Sequence, residues 1–396
     1  FLMSIERNIY LYYLHNFFKT FSFWLPFVFI YLLSKGLNYT ELLMLSVVAG
    51  LFQIAFEVPS GVYADFFGRK SALIVSAVAK SVCLGFYFFG QDFWVLCVAA
   101  SFFGISLAFE SGTDSAFIYD TLRDLEREKD YKRTEGIGFS FKLIGMATGS
   151  LIGGWLVSAG YDLPVVLTWI AFSVAVPVAL LFKEPKHHKA SDDKAYFTHL
   201  IKAAKFSWRH PLVRWLLVFE GVMVGVLVMT HKFHQPYMML ADIDVVFFGY
   251  IYVVWLLLSA ASSRFAHVLE NKLGRIGSLT LIVLFVGLPL LVVGMYVFAS
   301  AVVLFLFGQF AWGFIRPVIT DYINKEVDSH HRATVLSLGG FMGSVFIIII
   351  APFIGYVADL YSVTTAFLID GVLGLVLGGV LLFLIRSAGT AKSVRS

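Results

Sequence analysis

Long apolar runs broken by short polar stretches set the pattern of this chain. The runs predict helical spans from about Asn8 to Leu33, from Glu41 to Phe66, from the Gly68–Lys70 break to about Gly90, and from Asp92 to Asp120. After a charged loop at Arg123–Glu135, a fifth span ends at Gly160 and a sixth covers Pro164–Phe182. Six more start near Pro211, Val245, Arg275, Ser300, Ala333 and Val363. A membrane helix needs about 20 mostly apolar residues, and each run supplies them. The reading is an all-α membrane protein of twelve transmembrane helices.

One long polar connection divides six spans from six, giving a bundle at 1–183, a linker at 184–210 and a bundle at 211–396. Within the linker Phe197, Leu200, Ile201, Ala204 and Trp208 recur at helical spacing, with Lys202, Lys205 and Arg209 on other faces. That pattern predicts a basic amphipathic helix, lying on the inner leaflet or packed on the bundle.

Composition agrees with the spans. Hydrophobic side chains make up 59% of the 396 residues and charged ones 14%, against about 45–50% and about 25% in soluble domains. Arg69, Lys70, the Arg123–Arg133 cluster, the Lys183–Arg214 stretch, Lys272, Arg275, Lys325, Arg332 and Arg386 fall on one side of the spans; the other holds little beyond Lys35. Cytoplasmic loops collect Lys and Arg, so both termini are expected in the cytoplasm. Compact loops and termini point to a bacterial inner membrane. A net charge of +4 gives no sign of a nucleic-acid partner, and Cys83 and Cys97 read as small packing residues. The first apolar run carries Lys19 and continues to full span length, unlike a cleavable signal.

Between the second and third spans, Gly61, Asp65, Gly68, Arg69 and Lys70 stand in the spacing Gly-x-x-x-Asp-x-x-Gly-Arg-Lys. This resembles the loop between the second and third helices of the major facilitator superfamily of transporters. Gly68 and Arg69 are echoed by Gly274 and Arg275, with Asn271 in place of Asp65, and Gly149 by Gly355. The resemblance implies two six-helix halves, a substrate site near the mid-membrane, and alternating access. It further implies that Arg69 bridges to Asp120. Asp65 would face the positive start of the helix beginning near Ala333, closing the cytoplasmic side.

Ionisable residues in the spans are few: Lys19, Glu57, Lys80, Glu110, Asp114, Lys142, Glu220, Lys232, Arg316 and Asp370. Such residues face water, a partner or a substrate path. In the family resembled, the first, fourth, seventh and tenth spans line the cavity, and these carry Lys19, Glu110, Asp114, Glu220, Lys232 and Arg316. Glu110 and Asp114 are four apart and share a helix face. Two carboxylates that close do not both stay ionised easily, which suits a proton carrier. Glu110, Asp114 and Glu220 are the candidates for proton coupling; each also reads as a member of a structural ion pair. His15 and Lys19, with Ser22, and Gln309, Trp312 and Arg316 form stripes expected to line the substrate cavity. Arg316 is suited to an anionic substrate or to pairing with Glu110. Glu57, Lys80, Lys142 and Asp370 read as structural. His231 and His234 are three apart with no third ligand, so no metal is expected.

The sequence has no Walker loop, no Gly-x-Ser-x-Gly turn and no dinucleotide fingerprint, so neither an enzyme nor a cofactor is expected. Uphill transport must then draw on an ion gradient, the proton by default. In the fifth span Gly145, Gly149, Gly153 and Gly154 are similar to the Gly-x-x-x-Gly-Pro-x-x-Gly-Gly motif of the superfamily's drug–proton antiporters, with Ser150 at the Pro position. Those antiporters carry an Arg where Ala100 stands. The expectation is a monomer in the lipid bilayer that exports an amphipathic or anionic compound, such as a drug-like molecule or siderophore, against protons. Uptake by symport, facilitated diffusion and a non-transporting receptor are the alternatives.

Overall fold

The structure, a computed structural model, describes residues 5–186, 205, 207–327 and 329–393, all in helices, turns and connections without a strand. The amphipathic segment expected in the linker lies outside the described residues, apart from 205 and 207–209. Eleven helices among the described residues are long and apolar enough to cross a membrane, and the second part of the first span, Leu25–Ser34, is a shorter apolar helix. Helix is the form such runs take because it satisfies every backbone polar group within the segment.

Two compact units emerge. The first comprises Phe1–Leu37, Leu45–Ser191 and Val245–Val253; the second comprises Asn38–Met44, Asp192–Asp244 and Val254–Ser396. In the first unit the helices are α1 (Arg7–Phe18), α2 (Val28–Ser34), most of α3 (Tyr39–Phe67), α4 (Arg69–Phe89), α5 (Phe93–Glu110), α6 (Thr113–Asp124), α7 (Tyr131–Leu156) and α8 (Asp162–Leu180). The second unit holds α9 (Pro211–Leu240), α11 (Ala266–Met295), α12 (Phe305–Asn324), α13 (Ser329–Leu360) and α14 (Val363–Ser393). The helix α10 (Phe248–Arg264) is divided between the units at Val253.

Two spans predicted as continuous helices are broken. The first stops at Lys19 and resumes, through a 3₁₀ turn at Leu25–Phe27, as α2. The Thr20 hydroxyl turns back onto the Asn16 carbonyl at 2.8 Å, and the freed N–H groups of Phe23 and Trp24 donate to Thr168 Oγ1 at 2.9 and 3.3 Å. Buried Thr168 on α8 thus supplies the acceptor that makes this break tolerable in a membrane.

The glycines of α7 make room for the same break. A Cβ on Gly145 would stand 2.7 Å from Phe17 O, one on Gly149 2.7 Å from Ser22 N, and one on Gly153 would overlap Phe23 O. Gly154 comes equally close to Val246 O, at 2.7 Å from its would-be Cβ. The fourth span breaks at Ser111–Gly112, where Gly112 takes φ +69°. Only glycine occupies that region freely, so the residue marks the break.

Around α1 the first unit closes over Tyr12, Leu73, Phe117, Ile118, Leu122 and Phe182. Asn8 ties the two ends of this unit together, donating to Lys183 O at 2.8 Å and accepting from Lys183 N at 2.9 Å. Lys35 donates to Phe88 O at 2.8 Å and Gly90 O at 2.7 Å, placing a cation at the negative end of α4. In the second unit, Asp359 near the end of α13 accepts from Tyr39 N and Thr40 N, both at 2.8 Å, and from Thr40 Oγ1 at 2.6 Å. The first residues of α3 belong to the second unit through this cap.

Candidate functional site

The two broken spans and α7 bring four charges together inside the first unit. Lys19 caps the C-terminal end of α1, Glu110 ends α5, and Asp114 lies in the first turn of α6. A cation at a helix C-terminus and an acid at a helix N-terminus each sit where the macrodipole favours them. Lys19 Nζ stands 2.8 Å from Glu110 Oε1 and 3.3 Å from Asp114 Oδ2. From α7, Lys142 Nζ stands 2.9 Å from Asp114 Oδ2 and 3.7 Å from Glu110 Oε1. Asp114 Oδ1 also accepts from Ser115 N at 2.8 Å.

Glu110 and Asp114 do converge, but as the end of one helix and the start of the next. Each acid stands within 4.0 Å of both lysines. Both partners of each pair are largely out of water, so removing one would strand the other, at a cost of about 3–5 kcal/mol.

Lys142 is the residue that sequence reading placed outside the site. It lies on one stripe of α7 with Glu135, Gly138, Gly145, Gly149 and Gly153, at spacings of three or four residues; the glycines of the stripe face the first span between Tyr12 and Phe23. Extending the glycine pattern backwards would have found it. On the same stripe, Glu135 accepts from Tyr12 Oη at 2.8 Å and from Ser115 Oγ at 3.1 Å. His15 is buried, its ring edge-on to Phe182 at 5.5 Å, with Nδ1 unpartnered among the described residues. Lys80 on α4 lies over the ring of Phe172, 5.0 Å from its centroid.

The second unit gathers the other candidates. Gln309 Nε2 is 2.7 Å from His231 Nε2, whose ring meets Trp312 at 4.8 Å. His234 packs between Trp255 at 4.4 Å and Phe305 at 4.2 Å. Glu220 sits against the bare face of Gly339 and within electrostatic reach of Arg316, which is exposed and has no carboxylate within 4.0 Å among the described residues. Asp370 is buried, with Thr230 Oγ1 3.2 Å from its Oδ2.

The motif between α3 and α4 is organised by two acids. Arg69 Nε stands 2.6 Å from Asp120 Oδ2, and Arg123 joins the same carboxylate at 3.3 Å. Glu184, which sequence reading passed over, accepts from Arg69 N at 2.7 Å and Lys70 N at 2.9 Å. Its carboxylate occupies the space where a side chain on Gly68 would begin, and Gly68 has φ +95°. Asp65 lies two residues before the end of α3, and a Cβ on Gly61 would meet open space. The side chains at the start of α13, which Asp65 was expected to face, lie outside the described residues.

A family model described as Major Facilitator Superfamily matches residues 12–352. An uncharacterised MFS-type transporter of Bacillus subtilis (strain 168), YxaM, is 21% identical over 371 residues, which cover 88% of each chain. A Na(+), Li(+), K(+)/H(+) antiporter of Planococcus maritimus is 28% identical over 177 residues, 42% of this chain and 40% of that one. Among solved structures, the nucleoside transporter NupG superposes with a TM-score of 0.78 at 13% identity, covering 98% of this chain and 99% of that one. A bacterial homologue of the human lysosomal transporter Spinster gives 0.74 at 15% identity, covering 97% and 96%. At these identities the likeness is one of fold.

Proposed function

The chain belongs to the Major Facilitator Superfamily, and we propose that it couples protons to the movement of a small compound bearing an anionic group. It is a multi-pass membrane transporter working by alternating access, not an enzyme. The observation that carries the coupling proposal is the buried quartet of Lys19, Lys142, Glu110 and Asp114.

In the quartet two cations face two anions. A proton on either acid weakens its hold on the lysines and leaves positive charge uncompensated in a low dielectric, where Coulomb terms are large. That excess draws in an anionic group. An anion on the lysines in turn loosens their grip on the acids, which then take up a proton more readily. Proton and anion therefore favour each other's binding, and coupling of this kind is reciprocal. With protons flowing inward, the result is uptake by symport.

Export is the second reading, favoured by the α7 glycine run and by the relative that exchanges alkali cations against protons. A cationic amphipathic compound would compete with the proton for Glu110 and Asp114, which gives antiport. Reconstitution into proteoliposomes with pH gradients of either sign separates the two. Accumulation of an organic anion on the alkaline side supports symport. Accumulation on the acidic side overturns it in favour of antiport, and flux blind to the pH gradient removes proton coupling altogether.

A further inference from the structure

Two serines flank the break in the fourth span, Ser111 after Glu110 and Ser115 after Asp114. Ser115 donates its N–H to Asp114 Oδ1 at 2.8 Å and its hydroxyl to Glu135 Oε1 at 3.1 Å. It therefore touches two carboxylates at once. Glu135, in the second turn of α7, also accepts from Tyr12 Oη at 2.8 Å and, among the described residues, pairs with no cation. Tyr12 and Tyr131 lie within electrostatic reach of both acids, and a phenol carries no charge near neutral pH. Asp114 is buried, whereas Glu135 is half-buried, with Lys132, Arg133 and Gly136 exposed around it at the charged-loop end of the unit. At the other edge of the break Ser111 and Gly112 are exposed, and Ser111 Oγ donates to Glu57 Oε1 at 2.9 Å.

We propose that Glu135 is a second proton station, passing protons between Asp114 and the water at the charged-loop end through the Ser115 hydroxyl. This assignment rests on the reading that the quartet takes up the coupled proton, and it adds a route by which that proton arrives or leaves. On leaving, the O–H bond of a protonated Asp114 breaks and its proton passes to Ser115 Oγ, while the proton of that hydroxyl passes to Glu135 Oε1. Asp114 returns to a carboxylate and Glu135 becomes a carboxylic acid, which gives its proton to water. With no cation on it, Glu135 takes and releases a proton without parting an ion pair. Lys19 and Lys142 both hold the Asp114 carboxylate in the resting quartet, so the route stays shut until their grip is relaxed.

The test is passive proton flux into proteoliposomes holding the full-length protein, without cargo. A trapped pH-sensitive dye reports the lumen, and a potassium gradient with valinomycin sets the driving potential. Lys142→Met takes one of the two cations from Asp114. It should leak protons at least about tenfold faster than the parent, since a positioned proton-transfer group contributes about 10²–10⁴-fold. Adding Glu135→Gln or Ser115→Ala to Lys142→Met should return the flux to the parental level, and adding Glu135→Asp should keep it high. A Glu135 that only ties α7 to α1 and α6 would give the reverse order, because loosening the helices would raise the leak.

Lys19→Met opens the same gate, so the comparison holds even where Lys142→Met reconstitutes poorly. Absence of a leak in both lysine variants, or a leak that persists with Glu135→Gln or with Ser115→Ala, overturns the assignment. A leak removed by Asp114→Asn yet kept in Glu135→Gln strikes Glu135 alone and leaves the quartet as the coupling site; loss of the leak with Glu57→Gln instead would put the route at the Ser111 edge. Failure of the coupling reading would appear in the cargo experiment, as flux blind to the pH gradient, and would leave the order of these leaks unchanged.

Discussion

Lys142 Nζ stands 2.9 Å from Asp114 Oδ2, joining α7 to the first turn of α6 at the point where the fourth span is broken. The contact makes α7 more than a packing helix. Its glycines admit the unwound part of the first span, and the same stripe delivers a cation to the acids. The break in one span, the break in the other and the stripe on α7 form one construction.

Lys142→Met should therefore lose stability and coupling together. Stranding Asp114 with only Lys19 is expected to cost about 3–5 kcal/mol, read as a lowered melting temperature. The double variant Lys142→Met with Asp114→Asn removes both charges of the pair and should recover most of that loss while pH-driven flux stays absent. A double variant no more stable than the single would contradict the pairing.

Asp114→Asn and Glu110→Gln are each expected to abolish flux driven by a pH gradient. Exchange of labelled for unlabelled substrate, which needs no net proton movement, should persist. Proton-driven accumulation at the parental rate in both variants would take the acids out of the mechanism.

Gly153→Ala would set a methyl group against the Phe23 carbonyl, and Gly149→Ala one against the Ser22 backbone. Backbone atoms give way less easily than side chains, so each should destabilise by about 1–3 kcal/mol, as overpacking does. Gly136→Ala on the same helix meets nothing within 4 Å. It should be neutral or stabilising by up to about 1 kcal/mol, from helix propensity alone. Equal thermal shifts for the three variants would refute the close approach.

Asp359→Ala would leave Tyr39 N and Thr40 N without their acceptor. Loss of a capping side chain costs about 0.5–2 kcal/mol. The expected signature is faster hydrogen exchange confined to the first turn of α3, with the rest of that helix unchanged. Parental protection there would show that another group caps the helix.

Much of the fold was legible from the amino-acid sequence. Apolar runs of sufficient length read directly as spans, because a bilayer demands about 20 such residues whatever their neighbours. Pro211 and Val363 begin their helices where the pattern placed them. The Gly68–Lys70 break was visible because a glycine and two cations interrupt an apolar pattern, and the family could be inferred from that spacing. So could the list of buried charges, since any ionisable residue in a span stands out.

What the sequence by itself determined was therefore the spans, the family and the small set of ionisable residues from which the site is made. Only the tertiary structure decided how they combine. Hydropathy measures the composition of a window and does not register where the backbone ladder stops. The break after Lys19 depends on the Thr168 hydroxyl and the α7 glycines, more than a hundred residues away. The pairing of Lys142 with Asp114 and the seat of Glu184 on the start of α4 likewise join separate parts of the chain, 28 and 115 residues apart. Ion pairs are set by distances of a few ångströms in a low dielectric, and those distances exist only once the helices have packed.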